Sequence, residues 1–320
     1  MMSYRAVSPV PLVPLRRPRR LRPGDRVAVI APSGPVDPQR LHYGCALLCD
    51  LGLEIVLGTH VLDRSSQVEH LAGEDANRAA DLERAWLDPD IAAVICARGG
   101  YGATRVLDHL DWAAMARAEP KILLGCSDST ALHQAFAAQL GVATLFGPMV
   151  ATAVLGESAD LVSLTALRTV LFEPERARVL TCPGLRTLLS GQAEGITTGG
   201  TLSLLAAGVG GPECRPATGG VVFIEDIDEA PYRIDQMLTQ LLRSGWFTGV
   251  AAIVAGVWEQ CGAPDEIDRL LIERLAPLDV PVLAGLDFGH GIPQLTVPLG
   301  VAAKLNANTG TVVLSTPGLL

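Results

Sequence analysis

Aromatic residues are scarce in this chain, at 4% of 320 positions, and between residues 150 and 200 the only one is Phe172. Proteins that grip a nucleobase stack it on aromatic rings, so that stretch offers little to a nucleotide. Basic charge is also short. Lys and Arg number 25 against 34 Asp and Glu, for a formal net charge of -9, which argues against non-specific nucleic-acid binding, where cations must neutralise phosphates. No apolar run approaches the ~20 residues that a membrane helix needs. The seven cysteines, at positions 45, 49, 96, 126, 182, 214 and 261, contain no Cys-x-x-Cys pair. Their odd count and apolar neighbours read as buried small hydrophobes in a reducing compartment, so a cytoplasmic location is expected. Internal repeats are absent.

What is present is enough apolar material for a large core. Apolar residues make up 49% of the chain and charged ones 18%, which excludes global disorder. Residues 1–21 are rich in Arg and Pro. Pro9, Pro11 and Pro14 break the apolar stretch, and Arg16, Arg17, Arg19 and Arg20 follow it. A secretory signal has the opposite order, so a disordered or loosely held extension is expected here.

From Arg26 onward, short β-branched runs alternate with amphipathic segments. Arg26–Ala31, Glu54–Leu57, Ala92–Cys96, Lys121–Gly125 and Val142–Phe146 read as strands, with helical spacing between them. The pattern predicts an open, parallel-sheet α/β domain over 22–172, with sites outside the carboxyl ends of its strands. It fades over 173–195, which reads as a linker. A second α/β domain is expected over 196–320, built on Gly220–Ile224 and Ala251–Val257 and closing in antiparallel strands.

Within the first domain, Gly125-Cys126-Ser127-Asp128-Ser129 lies between a strand and a helix. Small residues around Ser127 permit the tight turn of a nucleophile elbow, although the second glycine of the usual pattern is Ser129 here. Two other readings stay open: Ser127 and its neighbours as a simple helix cap, and Cys126 as the nucleophile of an amidotransferase-like enzyme. His290 stands out among six histidines because glycine flanks it on both sides, whereas His133 reads as a packed helix residue. Glu225 ends a very apolar strand. It could orient an imidazole, sit in a solvated acidic turn, or pair with Arg233. No His or Cys joins its acidic neighbours at ligand spacing, so no metal is expected.

Taken in order, Arg22-Pro23-Gly24-Asp25, Ala31-Pro32-Ser33, Ala97-Arg98-Gly99-Gly100-Tyr101-Gly102, Gly125 to Thr130, Gly199-Gly200-Thr201-Leu202, Ile224 to Asp235 and Phe288-Gly289-His290-Gly291 resemble the LD-carboxypeptidases, a family that includes microcin-immunity peptidases. The resemblance implies an N-terminal α/β domain, a smaller swivelling C-terminal domain, and a site between them. It implies Ser127 as nucleophile, Glu225 as acid and His290 as base. Gly100 and Asp128 would donate oxyanion amides, and Tyr101 and Thr201 would contact substrate. It further implies a cytoplasmic homodimer without cofactor, acting on a short peptide with a C-terminal D-residue such as murein tetrapeptide; the alternative within the family is a peptidyl-nucleotide toxin. Two departures stand out: Cys126 where an aromatic usually precedes the serine, and Thr201 where an Asn commonly follows the glycine pair.

Overall fold

The computed structural model describes residues 10–320. Five parallel strands, β1 (Arg26–Ile30), β2 (Glu54–Leu57), β3 (Ile91–Cys96), β4 (Ile122–Gly125) and β5 (Thr144–Phe146), form most of the first sheet. Every residue of β3 and β4 is buried. Central strands covered by helices on both faces need that unbroken apolar character. Local chemistry sets the helix starts. Before the helix Pro38–Asp50, the Asp37 carboxylate accepts from the Arg40 amide at 2.9 Å, and Pro38 occupies the first turn, where no amide partner is lost.

The second sheet has eight strands: β6 (Val179–Leu180), β7 (Arg186–Leu189), β8 (Gln192–Thr201), β9 (Gly220–Ile227), β10 (Ala252–Glu259), β11 (Val282–Ala284), β13 (Ala302–Asn306) and β14 (Thr311–Leu314). Its centre, β8-β9-β10-β11, is parallel, and its flanks are antiparallel. The helix Pro231–Arg243 covers it with Ile234, Met237, Leu238 and Leu241, a spacing that puts one apolar stripe on the sheet. The remaining strand, β12 (Val297–Leu299), leaves this region and pairs antiparallel with β5 at the edge of the first sheet. Pro298 is tolerated there because an edge strand need not donate on its outer side.

Three expectations are corrected. The linker 173–195 is not structureless: β6, β7 and the start of β8 lie in it, and β6 and β7 form the two edges of the second sheet. Edge strands this short leave little periodic signal. Residues 196–320 do not form a closed unit, because β12 completes the other sheet. The part of the Arg/Pro-rich extension within the described residues is not disordered either. The Leu12 and Leu15 amides donate to Thr218 and Gly300 at 2.8 Å, Arg16 bridges Val142, and Leu21 is buried. Residues 1–9 of that extension lie outside the described residues.

A shared core joins the two sheets. Phe288 is fully buried, with its ring 4.4 Å from Phe146 and 5.4 Å from Phe223, centroid to centroid. Such aromatic contacts add about 0.5–1.5 kcal/mol each beyond area burial. They also fix the start of the loop that carries His290.

Candidate active site

Four segments meet at the carboxyl ends of the parallel strands. After β4, Cys126 is extended and Ser127 turns sharply into the left-handed region, at φ 59°, before the helix Thr130–Ala135 begins. A non-glycine residue held there stores of order 1–3 kcal/mol of strain and is kept in place by its surroundings. One such constraint is Gly99: a Cβ on it would lie 2.8 Å from Ser127 Cβ and 3.0 Å from Ser127 Oγ. The serine therefore stands against bare backbone in the Arg98–Tyr101 segment.

His290 reaches the site from the second region. Its Nδ1 donates to Glu225 Oε2 at 2.7 Å, which leaves Nε2 as the free lone pair of the neutral ring. Gly289, at φ 114°, packs directly on the Glu225 carboxylate, where any side chain would collide with it. Glu225 is fully buried, while 17% of the His290 side chain remains exposed. Burial works against the imidazolium, but the hydrogen bond and charge of Glu225, with the charges of Asp226 and Glu259, outweigh it and hold the His290 pKa above its ordinary value. The second carboxylate oxygen, Oε1, accepts from the Thr201 hydroxyl at 2.5 Å, and the Thr201 amide donates to Thr130 Oγ1 at 3.0 Å. Thr130 lies three residues beyond Ser127, so a continuous set of hydrogen bonds ties the serine's helix to the Glu-His pair.

No hydrogen bond joins Ser127 Oγ to His290 among the described residues. Such bonds are often long before substrate arrives. Among the described residues the Gly100 and Asp128 amides donate to no protein acceptor, which leaves them available to a ligand oxygen. The Asp128 side chain is engaged apart from its amide. Its Oδ2 accepts from the Ala103 amide at 2.7 Å and anchors the Gly-Gly-Tyr-Gly turn.

The surroundings of Cys126 disfavour it as a nucleophile. It is buried, and burial raises its thiol pKa to about 12, so the thiolate is absent near neutrality. Iodoacetamide at neutral pH is therefore expected to leave activity on a peptide substrate unchanged, and loss of activity together with alkylated Cys126 by mass spectrometry would reverse this conclusion. Expected contact between Thr201 and substrate is also corrected. Thr201 is only 2% exposed and its hydroxyl is committed to Glu225. Thr201→Val, which leaves a buried carboxylate oxygen without a partner, is expected to cost about 1–3 kcal/mol of stability. Urea denaturation measures this, and an unchanged midpoint contradicts it. Tyr101 is half exposed beside Arg98 and Gly100, where it can meet a ligand.

His133 is a packed residue. Both ring nitrogens are engaged, with Thr144 Oγ1 at 2.9 Å and the Gly125 carbonyl at 3.0 Å, and burial lowers its pKa to about 4. Sequence reading missed Arg78. Its guanidinium is fully buried and donates to the carbonyls of Pro32 and Gly102 and to Asp75, clamping two loops of the crevice together. The one available signal was Asp75 three residues earlier on the same helix. A cavity of about 630 Å³ lies elsewhere, between Leu12, Leu15, Ile196 and Leu299, and none of Ser127, Glu225 and His290 lines it.

A strained serine at a strand-to-helix turn, a buried carboxylate-imidazole pair and two unemployed amides are the parts that acyl transfer to a hydroxyl needs. Comparison with known proteins gives the family. Residues 27–147 match the LD-carboxypeptidase N-terminal domain, and residues 194–305 match the LD-carboxypeptidase C-terminal domain. A Streptomyces coelicolor relative, whose name assigns it provisionally to the carboxypeptidases, is 51% identical over 306 residues, covering 95% of this chain and 98% of its own. The murein tetrapeptide carboxypeptidase of Pseudomonas aeruginosa is 33% identical over 303 residues, covering 88% of this chain and 94% of its own. The solved structure of MccF in complex with glutamyl sulfamoyl guanosine shares the fold, with a TM-score of 0.87 at 23% identity over 95% of this chain and 99% of that one. The chain belongs to the LD-carboxypeptidase family.

Proposed function

We propose that this protein is a serine carboxypeptidase that hydrolyses the L,D bond of murein tetrapeptide and releases D-alanine, in the turnover of cell-wall peptides. The observation that carries the reading is the 2.7 Å bond between His290 Nδ1 and buried Glu225, which leaves Nε2 without a protein partner and available as a base for the half-buried Ser127. His290 takes the Ser127 proton as Oγ attacks the carbonyl preceding the terminal D-residue. The Gly100 and Asp128 amides hold the oxyanion, at about 2.7–4 kcal/mol per donor in comparable sites. His290 then protonates the leaving amine, and water, deprotonated in turn by His290, cleaves the acyl-enzyme. The family resemblance further suggests a cytoplasmic homodimer that works without a cofactor.

An aminoacyl-nucleotide substrate is the second reading, favoured by the likeness to the MccF fold. Aromatic supply disfavours it: Phe172, the one aromatic of residues 150–200, packs against the core of the first domain instead of facing the crevice. Mass spectrometry of L-Ala-γ-D-Glu-L-Lys-D-Ala incubated with the protein, and of the diaminopimelate counterpart, tests the choice. Loss of a single alanine residue is expected; an intact tetrapeptide alongside a cleaved aminoacyl sulfamoyl nucleoside would reverse it.

A further inference from the structure

Next to the Gly100 amide opens a polar cleft of about 400 Å³, walled by Gly34, Arg64, His70, Arg98 and Tyr101. We propose that Arg98 and Arg64 form the subsite for the free carboxylate of the terminal D-residue, so that the enzyme is confined to the last bond of its peptide. The inference rests on the peptidase reading above and assigns the leaving-group side of that same site.

Distance supports the assignment first. Ser127 Oγ stands against Gly99, and only one residue separates the scissile carbonyl from the terminal carboxylate. One residue of chain reaches at most about 3.3–3.6 Å, so the carboxylate must fall within the segment that adjoins Gly99. Arg98 is the cation there. A Cβ on Gly100 would lie 3.5 Å from its Nη2 and 3.3 Å from Gly34 Cα. The guanidinium therefore lies close to the Gly100 backbone, with no side chain of Gly34 or Gly100 between them.

Unspent donors support it next. Arg98 gives one hydrogen bond, from Nη1 to the Pro35 carbonyl at 2.9 Å, and its remaining N–H groups bond to no protein atom among the described residues. Arg64 makes no hydrogen bond or ion pair among the described residues. A planar guanidinium with free N–H groups matches a carboxylate in a two-pronged pair. Two carboxylates also line the cleft, and among the described residues neither forms an ion pair with Arg98 or Arg64. Asp37 is engaged as the cap on the Arg40 amide at 2.9 Å. Glu69 has 87% of its side chain exposed and lies 3.7 Å from His70.

The test compares L-Ala-γ-D-Glu-L-Lys-D-Ala with the same peptide ending in D-alaninamide. For the unaltered protein, kcat/KM is expected to favour the free acid strongly. Arg64→Ala, at an exposed position that the fold does not use, and Arg98→Ala should each lower kcat/KM on the acid by roughly 10- to 150-fold, the range of a lost charge-assisted hydrogen bond. Most of that loss should fall on KM, and the loss on the amide should be much smaller, so that the preference collapses; Arg64→Lys should recover part of it. Equal losses on acid and amide would mark the arginines as merely structural and overturn the proposal, as would an intact preference in both alanine variants. If the unaltered protein releases no D-alanine and a serine-reactive phosphonate fails to label Ser127, the peptidase reading itself falls. If release depends on Ser127 while both arginine variants keep the preference, the carboxylate subsite alone falls.

Discussion

Ser127→Ala is expected to lower kcat for D-alanine release by roughly 10⁴- to 10⁶-fold, with the fold and substrate affinity retained. The size of the effect follows from where the residue stands. Its hydroxyl is the nucleophile-capable group held at the strained turn, at φ 59°, against Gly99 and beside the Asp128 amide. A methyl group keeps the turn and removes the attacking atom. The neighbouring thiol cannot replace it, because Cys126 is buried with its pKa raised to about 12. What remains is catalysis by the oxyanion amides acting on water, typically 10³- to 10⁴-fold above the uncatalysed rate. A coupled assay for free D-alanine measures the loss, and peptide binding to the variant by calorimetry shows that the site is intact. Activity within tenfold of the unaltered protein would exclude a serine mechanism and point to direct attack by water.

The candidate site was legible chiefly through the family resemblance, and local pattern only marked where its residues could stand, at the ends of apolar runs. Ser127, Glu225 and His290 each end or follow a buried segment, and glycine neighbours mark two of the three. The parallel sheet was legible from those runs themselves: β3 is six buried residues long and has no other use for such a run. Several features were hidden, each for a physical reason. β6 and β7 are two and four residues long and lie at sheet edges, where half-exposed strands keep no period. β12 pairs with β5 across 150 intervening residues, and nothing local to Val297–Leu299 names that partner. Thr201 was expected at the substrate because the resemblance puts it where an Asn commonly follows the glycine pair, and nothing local in sequence reveals its bond to Glu225. Only the packing of β8 against β9 shows that it points inward. Arg78 was obscured by composition, since an arginine on an amphipathic helix is ordinarily a surface residue; its complete burial follows from the two loop carbonyls it must satisfy.

Glu225→Gln should lower the maximal rate by up to about 10⁴-fold and move the acid limb of the pH profile downward. The first effect follows from the imidazole's tautomer: a carboxylate only accepts, so it forces the proton onto Nδ1 and leaves Nε2 free, whereas an amide can donate to Nδ1 and place the proton on Nε2. The second follows from the sign of the His290 shift. Burial alone would depress its pKa; the hydrogen bond and charge of Glu225 raise it above the ordinary 6.5. His290 must be neutral to act as base, so kcat/KM falls as pH drops through that raised value. Removing the Glu225 charge takes away the largest raising influence and leaves burial opposed only by the charges of Asp226 and Glu259, so the acid limb moves to lower pH. Stability runs the opposite way. Because the folded-state pKa is raised, the pair stabilises the native state fully below the unfolded value of 6.5 and loses that contribution as pH rises through the folded value. The Gln variant therefore loses more stability at pH 5 than at pH 9. Thermal melts at the two pH values read one half of the prediction and a kcat/KM profile reads the other. An acid limb that stays in place while the rate collapses would show that His290 is not the titrating base, since no other route from Glu225 to the profile passes through the 2.7 Å bond.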